Sequence, residues 1–120
     1  MILVDTSVWI DHLRRGNPLL VNLLHDGMVM SHPFVVGEIA LGNLRQRRFV
    51  LGALADLPKA TVASDAEVSH MIERDTLFGR GIGYVDAHLL AAVRLTAGAE
   101  LWTTDRRLHD VAAQLGLAMH

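Results

Sequence analysis

The chain has 120 residues, 51% hydrophobic and 20% charged, with a mean hydropathy of +0.29. This excludes a disordered or collagen-like polypeptide and predicts a single domain over 1–120. Eleven Lys and Arg against thirteen Asp and Glu give a formal charge of −2, so bulk electrostatic capture of a polyanion is excluded and such a ligand needs a local device. The absence of cysteine rules out disulfides, thiolate chemistry and sulfur-held zinc. No basic leader and no run of about 18 apolar residues occur, so a cytoplasmic protein without a membrane span is expected.

Ile2-Leu3-Val4 is a short apolar run, too brief for a helix, and ends at Asp5-Thr6-Ser7, residue types that favour helix N-caps. A buried strand followed by a helix is expected, the helix running over 8–15 with Arg14 and Arg15 at its C-terminal dipole end before Gly16-Asn17-Pro18. A second helix is expected over 19–24 and a second strand over 28–30. Pro33, tolerated in a first helical turn, then opens a helix with Val36, Ile39, Ala40 and Leu44 at helical spacing and a basic end at Arg45-Gln46-Arg47-Arg48. Beyond it the pattern predicts a helix over 49–57, a strand over 60–62, a helix over 65–78 and a loop at Gly79-Arg80-Gly81-Ile82-Gly83. A long apolar helix over 86–97, a strand over 101–104, a helix over 105–115 and a terminal strand over 117–119 complete the chain. Strands almost free of polar residues, alternating with helices, predict an α/β protein whose four- to five-stranded parallel sheet is covered on both faces.

In open parallel sheets the ligand site lies outside the carboxyl ends of the strands. Asp5 and Asp105 fall there, Glu38 lies one to two turns into the helix after the second strand, and Asp86 opens the helix after the glycine loop. Four carboxylates at one edge repel one another unless some are protonated or a cation neutralises them. Oxygen-only ligands select Mg²⁺ or Mn²⁺ over zinc, with one or two ions as alternatives. Plain structural readings also exist: Asp5 and Asp105 as N-caps, Glu38 as an exposed helical acid. Asp86 is harder to read so, because Ala87-His88-Leu89-Leu90-Ala91-Ala92 after it is otherwise apolar. The glycine loop lacks the context and spacing of a nucleotide cradle. His88 is expected as an ordinary helix residue, His12 and Asp11 at the surface, and Trp9, Trp102 and Phe34 in the core.

Four segments, Val4-Asp5-Thr6-Ser7-Val8-Trp9-Ile10, Pro33-Phe34-Val35-Val36-Gly37-Glu38-Ile39-Ala40-Leu41-Gly42, Gly83-Tyr84-Val85-Asp86-Ala87-His88-Leu89-Leu90-Ala91-Ala92 and Trp102-Thr103-Thr104-Asp105, carry a resemblance across nearly the whole chain. Their order and spacing resemble the PIN-domain ribonucleases and, more narrowly, the VapC-type toxins of prokaryotic toxin–antitoxin pairs. The resemblance implies a three-layer α/β/α sandwich, a homodimer, and a Mg²⁺- or Mn²⁺-dependent endoribonuclease silenced by a cognate VapB-type antitoxin. It also implies that Asp5 and Asp86 are the principal metal ligands and that Glu38 and Asp105 bind metal directly or through water. Ser7 and Thr103 match polar positions that orient the acids; Thr6 and Thr104 are nearby, and which hydroxyl points inward is open.

The expected chemistry is hydrolysis of RNA by a metal-activated water, with Asp5 as the candidate bridge if two ions bind; the resemblance implies products with 5′-phosphate and 3′-hydroxyl ends. Setting aside the four site acids leaves nine against eleven basic residues, a mildly basic remainder. Arg14, Arg15, Arg45, Arg47, Arg48, Arg106 and Arg107 lie on elements that begin at the proposed site and are candidates for phosphate contacts, Arg106 and Arg107 foremost. Two alternatives remain. A phospho-acceptor receiver domain has this length and sheet type but should carry a lysine after its last strand, and the only lysine is Lys59. A non-catalytic PIN-like subunit that binds a partner or represses DNA would not require intact acids.

Overall fold

Three strands form a parallel sheet in the order β2-β1-β3: β1 (Ile2–Val4), β2 (Val29–Met30) and β3 (Glu100–Trp102). The structure, a computed structural model, describes residues 1–119. Central β1 pairs Leu3 with Met30 on one side and Leu101 on the other, and Leu3 and Val4 are wholly buried. That is why the strand reads as an unbroken apolar run.

The four- to five-stranded sheet expected from the sequence is narrower. Its two outer strands are reduced to isolated parallel bridges, Ser31 with Lys59 and Leu101 with Ala118. At the first edge Ser31 exchanges bonds with Pro58 and Ala60, but the chain after Ser31 enters α3 at Pro33 and offers no further ladder partner, so no strand continues over 60–62; the Thr61 N–H, on the side away from β2, goes to the Thr96 hydroxyl at 3.0 Å. The last long strand stops at Trp102, leaving Thr103 and Thr104 beyond its carboxyl end.

Seven helices flank the sheet among the described residues: α1 (Thr6–Arg15), α2 (Pro18–His25), α3 (Pro33–Ala40), α4 (Arg47–Ala55), α5 (Asp65–Arg74), α6 (Tyr84–Leu95) and α7 (Arg106–Gln114). α1 and α6 start two residues earlier than the sequence suggests. α3 stops at Ala40, so Leu44 and Arg45 lie in a connection that turns at Gln46 (φ 52°), and Arg47 and Arg48 open α4 instead of ending α3. Arg47 folds back to donate to the carbonyls of Ala40 (2.7 Å) and Gly42 (3.3 Å), satisfying groups that the end of α3 leaves open. α5 begins with a Ser64–Glu67 capping box and ends at Arg74, well before Phe78, because Thr76 takes a left-handed φ of 53°.

The core gathers β1, the inner faces of α1 and α7, and above all α6, whose residues Ala87 to Val93 are all buried. A helix enclosed around its circumference needs no polar face, which accounts for the apolar composition after Asp86. Trp9 is buried as expected and Trp102 half-buried, but Phe34 is 37% exposed and is not a core residue. His12 is half-buried, accepting the Asn17 N–H on Nδ1 at 3.0 Å, and half-buried Asp11 pairs with Arg15.

Candidate active site

Asp5 ends β1 and caps α1. Its Oδ1 accepts the Thr6 N–H at 2.8 Å, while Oδ2 accepts the hydroxyls of Ser7 (2.9 Å) and Thr103 (2.7 Å). Asp5 is only 7% exposed, and these donors replace the water its carboxylate loses. Each hydroxyl has one proton and gives it to Asp5, so the 3.3 Å approach of Ser7 to Thr103 is a contact and not a further hydrogen bond. Their acceptor sides take the backbone N–H of Thr104 on Ser7 (3.1 Å) and of Asp105 on Thr103 (3.0 Å). Two adjacent strand ends are thereby locked together, with Asp5 and Asp105 across the joint.

The hydroxyl question left open by the sequence resolves residue by residue. Ser7 and Thr103 face Asp5; Thr6 donates instead to Oε1 of Glu38 at 2.7 Å, tying α1 to α3; Thr104 contributes its backbone N–H. Asp105 caps α7 through Oδ1, accepting Leu108 N–H at 3.0 Å. Asp86, half-buried in the first turn of α6, reaches back with Oδ2 to the Gly83 N–H at 2.9 Å, the carboxylate half of a capping box.

The plain readings of Asp5 and Asp105 as N-caps are therefore correct, but they do not exhaust the geometry. Burial raises the Asp86 pKa; the Gly83 N–H pulls it down, and the charges of Asp5, Asp105 and Glu38 push it up again. All three other acids thus act on Asp86, and no cation is among the groups that do. Among the described residues, no three acidic or imidazole side chains already stand together as a ligand set. Asp86, Glu38 and Asp105 nonetheless each keep one oxygen with no protein donor. An all-oxygen donor set with uncompensated negative charge fits a hard divalent cation.

The glycine loop is fastened to α7. Arg80 donates to Oε1 of Gln114 at 2.8 Å, and the Arg107 side chain lies against Gly81, where a methyl group would stand 2.8 Å from its Cδ and Nη1. Arg107, foremost among the expected phosphate contacts, is thus packed on the loop that leads to Asp86, a contact that no local pattern announced. Gly81 has φ of 78°, so Gly81→Ala is expected to lower unfolding free energy by about 1–2 kcal/mol from backbone strain alone. Gly79→Ala, with φ of 73° and open space, isolates that backbone part; urea titration of both variants checks whether the Arg107 contact adds to it.

Beside the acids lies an aromatic cluster that the sequence reading missed. His88 is 2% exposed and holds Phe34 and Tyr84 edge-on at 4.7 and 4.8 Å, with Nε2 3.3 Å from the exposed Asp65, which also accepts the Tyr84 hydroxyl at 2.8 Å. His32, wholly buried, caps α3 by accepting Phe34 N–H on Nδ1, and burial first, the His88 charge second, lowers its pKa to about 4. The signal available was His32 directly before Pro33, an N-cap position that Pro at N1 defines.

With strand ends, acids and caps in place, the chain belongs to the PIN domain family, which it matches over residues 2–114. It is 50% identical over 119 residues to Ribonuclease VapC32 of Mycobacterium tuberculosis, in strains CDC 1551 and H37Rv alike, a match covering 99% of this chain and 96% of that protein. The receiver-domain alternative is overturned by this membership. No helix among the described residues is long and apolar enough to cross a membrane.

Proposed function

We propose that this protein is a divalent-metal-dependent endoribonuclease, the toxin of a VapBC-like toxin–antitoxin pair, working as a single domain in the cytoplasm. The observation that carries the reading is Asp86, half-buried and pressed by three further carboxylates with no cation to offset them. Near-full-length similarity to a protein named a ribonuclease supplies the substrate class.

Asp5, Asp86, Glu38 and Asp105 would hold Mg²⁺ or Mn²⁺. The chemistry such an ion would supply there is a water of lowered pKa and compensation of charge on the phosphate under attack. The chain's own contribution is orientation. Ser7, Thr103 and the Thr6 N–H fix Asp5, Thr6 directs Glu38, and Gly83 N–H fixes Asp86, so the free oxygens of Asp86, Glu38 and Asp105 face the binding task without a competing protein donor. Arg106 and Arg107, in the first turn of α7, are suited to a phosphate adjoining the one that is cut.

Two partners accompany this reading. A cleft of roughly 190 Å³ between α1, α2 and α4, lined mainly by apolar side chains and flanked by Phe49 at 74% exposure, suits an amphipathic segment of a VapB-type antitoxin. Leu41 and Phe78, 90% and 59% exposed, support a homodimer that covers apolar surface.

Incubation of a mixed RNA pool with Mg²⁺, Mn²⁺ or EDTA tests the activity. Cleavage that requires metal and leaves 5′-phosphate ends is expected. A folded, antitoxin-free, metal-supplied protein that cuts no RNA overturns it.

A further inference from the structure

A scissile phosphate at the acid edge is one link of a longer polyanion, and the acids that favour a metal repel the phosphates on either side. The rest of the strand needs cations set back from that edge. Two hollows meet this need. One, of roughly 320 Å³, opens on Ser7 and Thr104 and runs past Ile10 and Asp11 to Arg14 and Arg15. The other, of roughly 470 Å³, shares Ile10 and Arg14 with the first and continues between Leu13 and the 42–45 connection to Arg45. Shared walls make them one trough, whose near end is the hydroxyl and N–H pair that steadies Asp5.

The charges along this trough are not equivalent. Arg15 is neutralised by Asp11, and Arg47, just beyond, is engaged with the carbonyls of Ala40 and Gly42. Arg14 and Arg45 are exposed, and no carboxylate among the described residues pairs with either. Arg14 stands seven residues along α1 from Ser7, about 10 Å at 1.5 Å per residue, too far to touch the phosphate under attack and placed for one further along the strand. Between the two arginines Ile10, Leu13 and Leu44 supply apolar surface against which unstacked bases and riboses can lie.

We propose that this trough is the track of single-stranded RNA leaving the acid edge, with Arg14 and Arg45 as its phosphate contacts, an inference that rests on the nuclease reading above. Of the seven arginines that are candidates for phosphate contacts, it selects these two for this side of the site and sets aside Arg15 and Arg47. An acidic peptide would also meet Arg14 and Arg45, but continuity with the acid edge favours a polymer that must pass through both.

Affinity for a fluorescent single-stranded RNA, measured in EDTA over a range of KCl, tests the track without cleavage. Arg14→Ala with Arg45→Ala is expected to weaken binding roughly tenfold at low salt and to flatten the slope of log K against log salt by about 1.4, two contacts at about 0.7 each. Arg14→Lys with Arg45→Lys keeps the charges and should keep the slope; Lys59→Ala, away from the trough, should change neither quantity. Hydrolysis of bis(4-nitrophenyl) phosphate with Mn²⁺, too small to reach Arg14, should persist in the alanine pair. Parent-like affinity and slope in that pair, or no RNA binding by the parent chain, overturns the track. A parent that binds RNA with the expected slope but hydrolyses neither substrate overturns the nuclease reading and leaves the binding track standing.

Discussion

Asp86→Asn is expected to reduce RNA cleavage by roughly 10²–10³-fold or more, the effect of deleting one preorganised electrostatic group, while raising the stability of the metal-free protein. The two outcomes share a cause. The amide keeps an oxygen for the Gly83 N–H, so the α6 cap survives, but it removes the charge that burial and the neighbouring acids make costly. Metal should reverse the order. A cation that binds the folded parent stabilises it by about 2.7 kcal/mol at a hundred times its Kd, and the variant should gain far less.

The pH dependence follows from the direction of the Asp86 shift. Its folded pKa is raised above the unfolded value of 3.8, so between the two the folded chain holds the proton more tightly. Stability from this group is therefore greatest below 3.8 and falls as pH rises through the folded pKa; above it the full penalty remains. In EDTA the melting temperature of the parent should drop over that window relative to Asp86→Asn. Equal melting temperatures of parent and variant at pH 7 in EDTA, with equal gains from Mg²⁺, would show that Asp86 neither carries strain nor binds metal.

What the sequence disclosed and what it hid divide by the range of the interaction. Apolar runs and caps are local, so β1, α1, α2 and the glycine loop stand close to where the pattern of residues puts them. The strands expected over 60–62 and 117–119 shrink to single bridges because a short local pattern does not say how far a partner strand continues; opposite 60–62 the chain has already entered α3 at Pro33. At the candidate site, Asp5 and Asp105 are legible because each follows a strand and Asp86 because it stands in the first turn of a helix, whereas Glu38 lies inside α3 and is marked by no such boundary. The hydroxyl assignments were not, since Ser7 to Thr103 and Thr6 to Glu38 join residues far apart in the chain. Arg107 against Gly81 and Phe34 edge-on to His88 are likewise products of tertiary packing, whereas His32 at the N-cap before Pro33 is a local feature.

The buried His32 of this aromatic cluster sets the second large effect. His32 accepts the Phe34 N–H on Nδ1, so the neutral ring carries its proton on Nε2, a buried atom with no partner. Protonation would place a charge in the core beside His88 and take away the acceptor that caps α3, which is why the folded pKa lies near 4 against 6.5 unfolded. Here the sign is opposite to that of Asp86: below 6.5 the unfolded chain takes up a proton that the folded one refuses. Stability is lost as pH falls from 6.5 to about 4, by up to about 3 kcal/mol, and is then constant. His32→Asn retains a capping oxygen and removes the titration, at the cost of a cavity at neutral pH. Urea unfolding at pH 7.5 and 4.5 should therefore show the parent losing more than the variant, and the comparison cancels Asp86, which both contain. Because α3 carries Glu38 and α6 carries Asp86, the same acid-driven loosening should release the two helices that bring these carboxylates to the site. Parallel losses in parent and variant would mean that His32 titrates alike in the folded and unfolded chains.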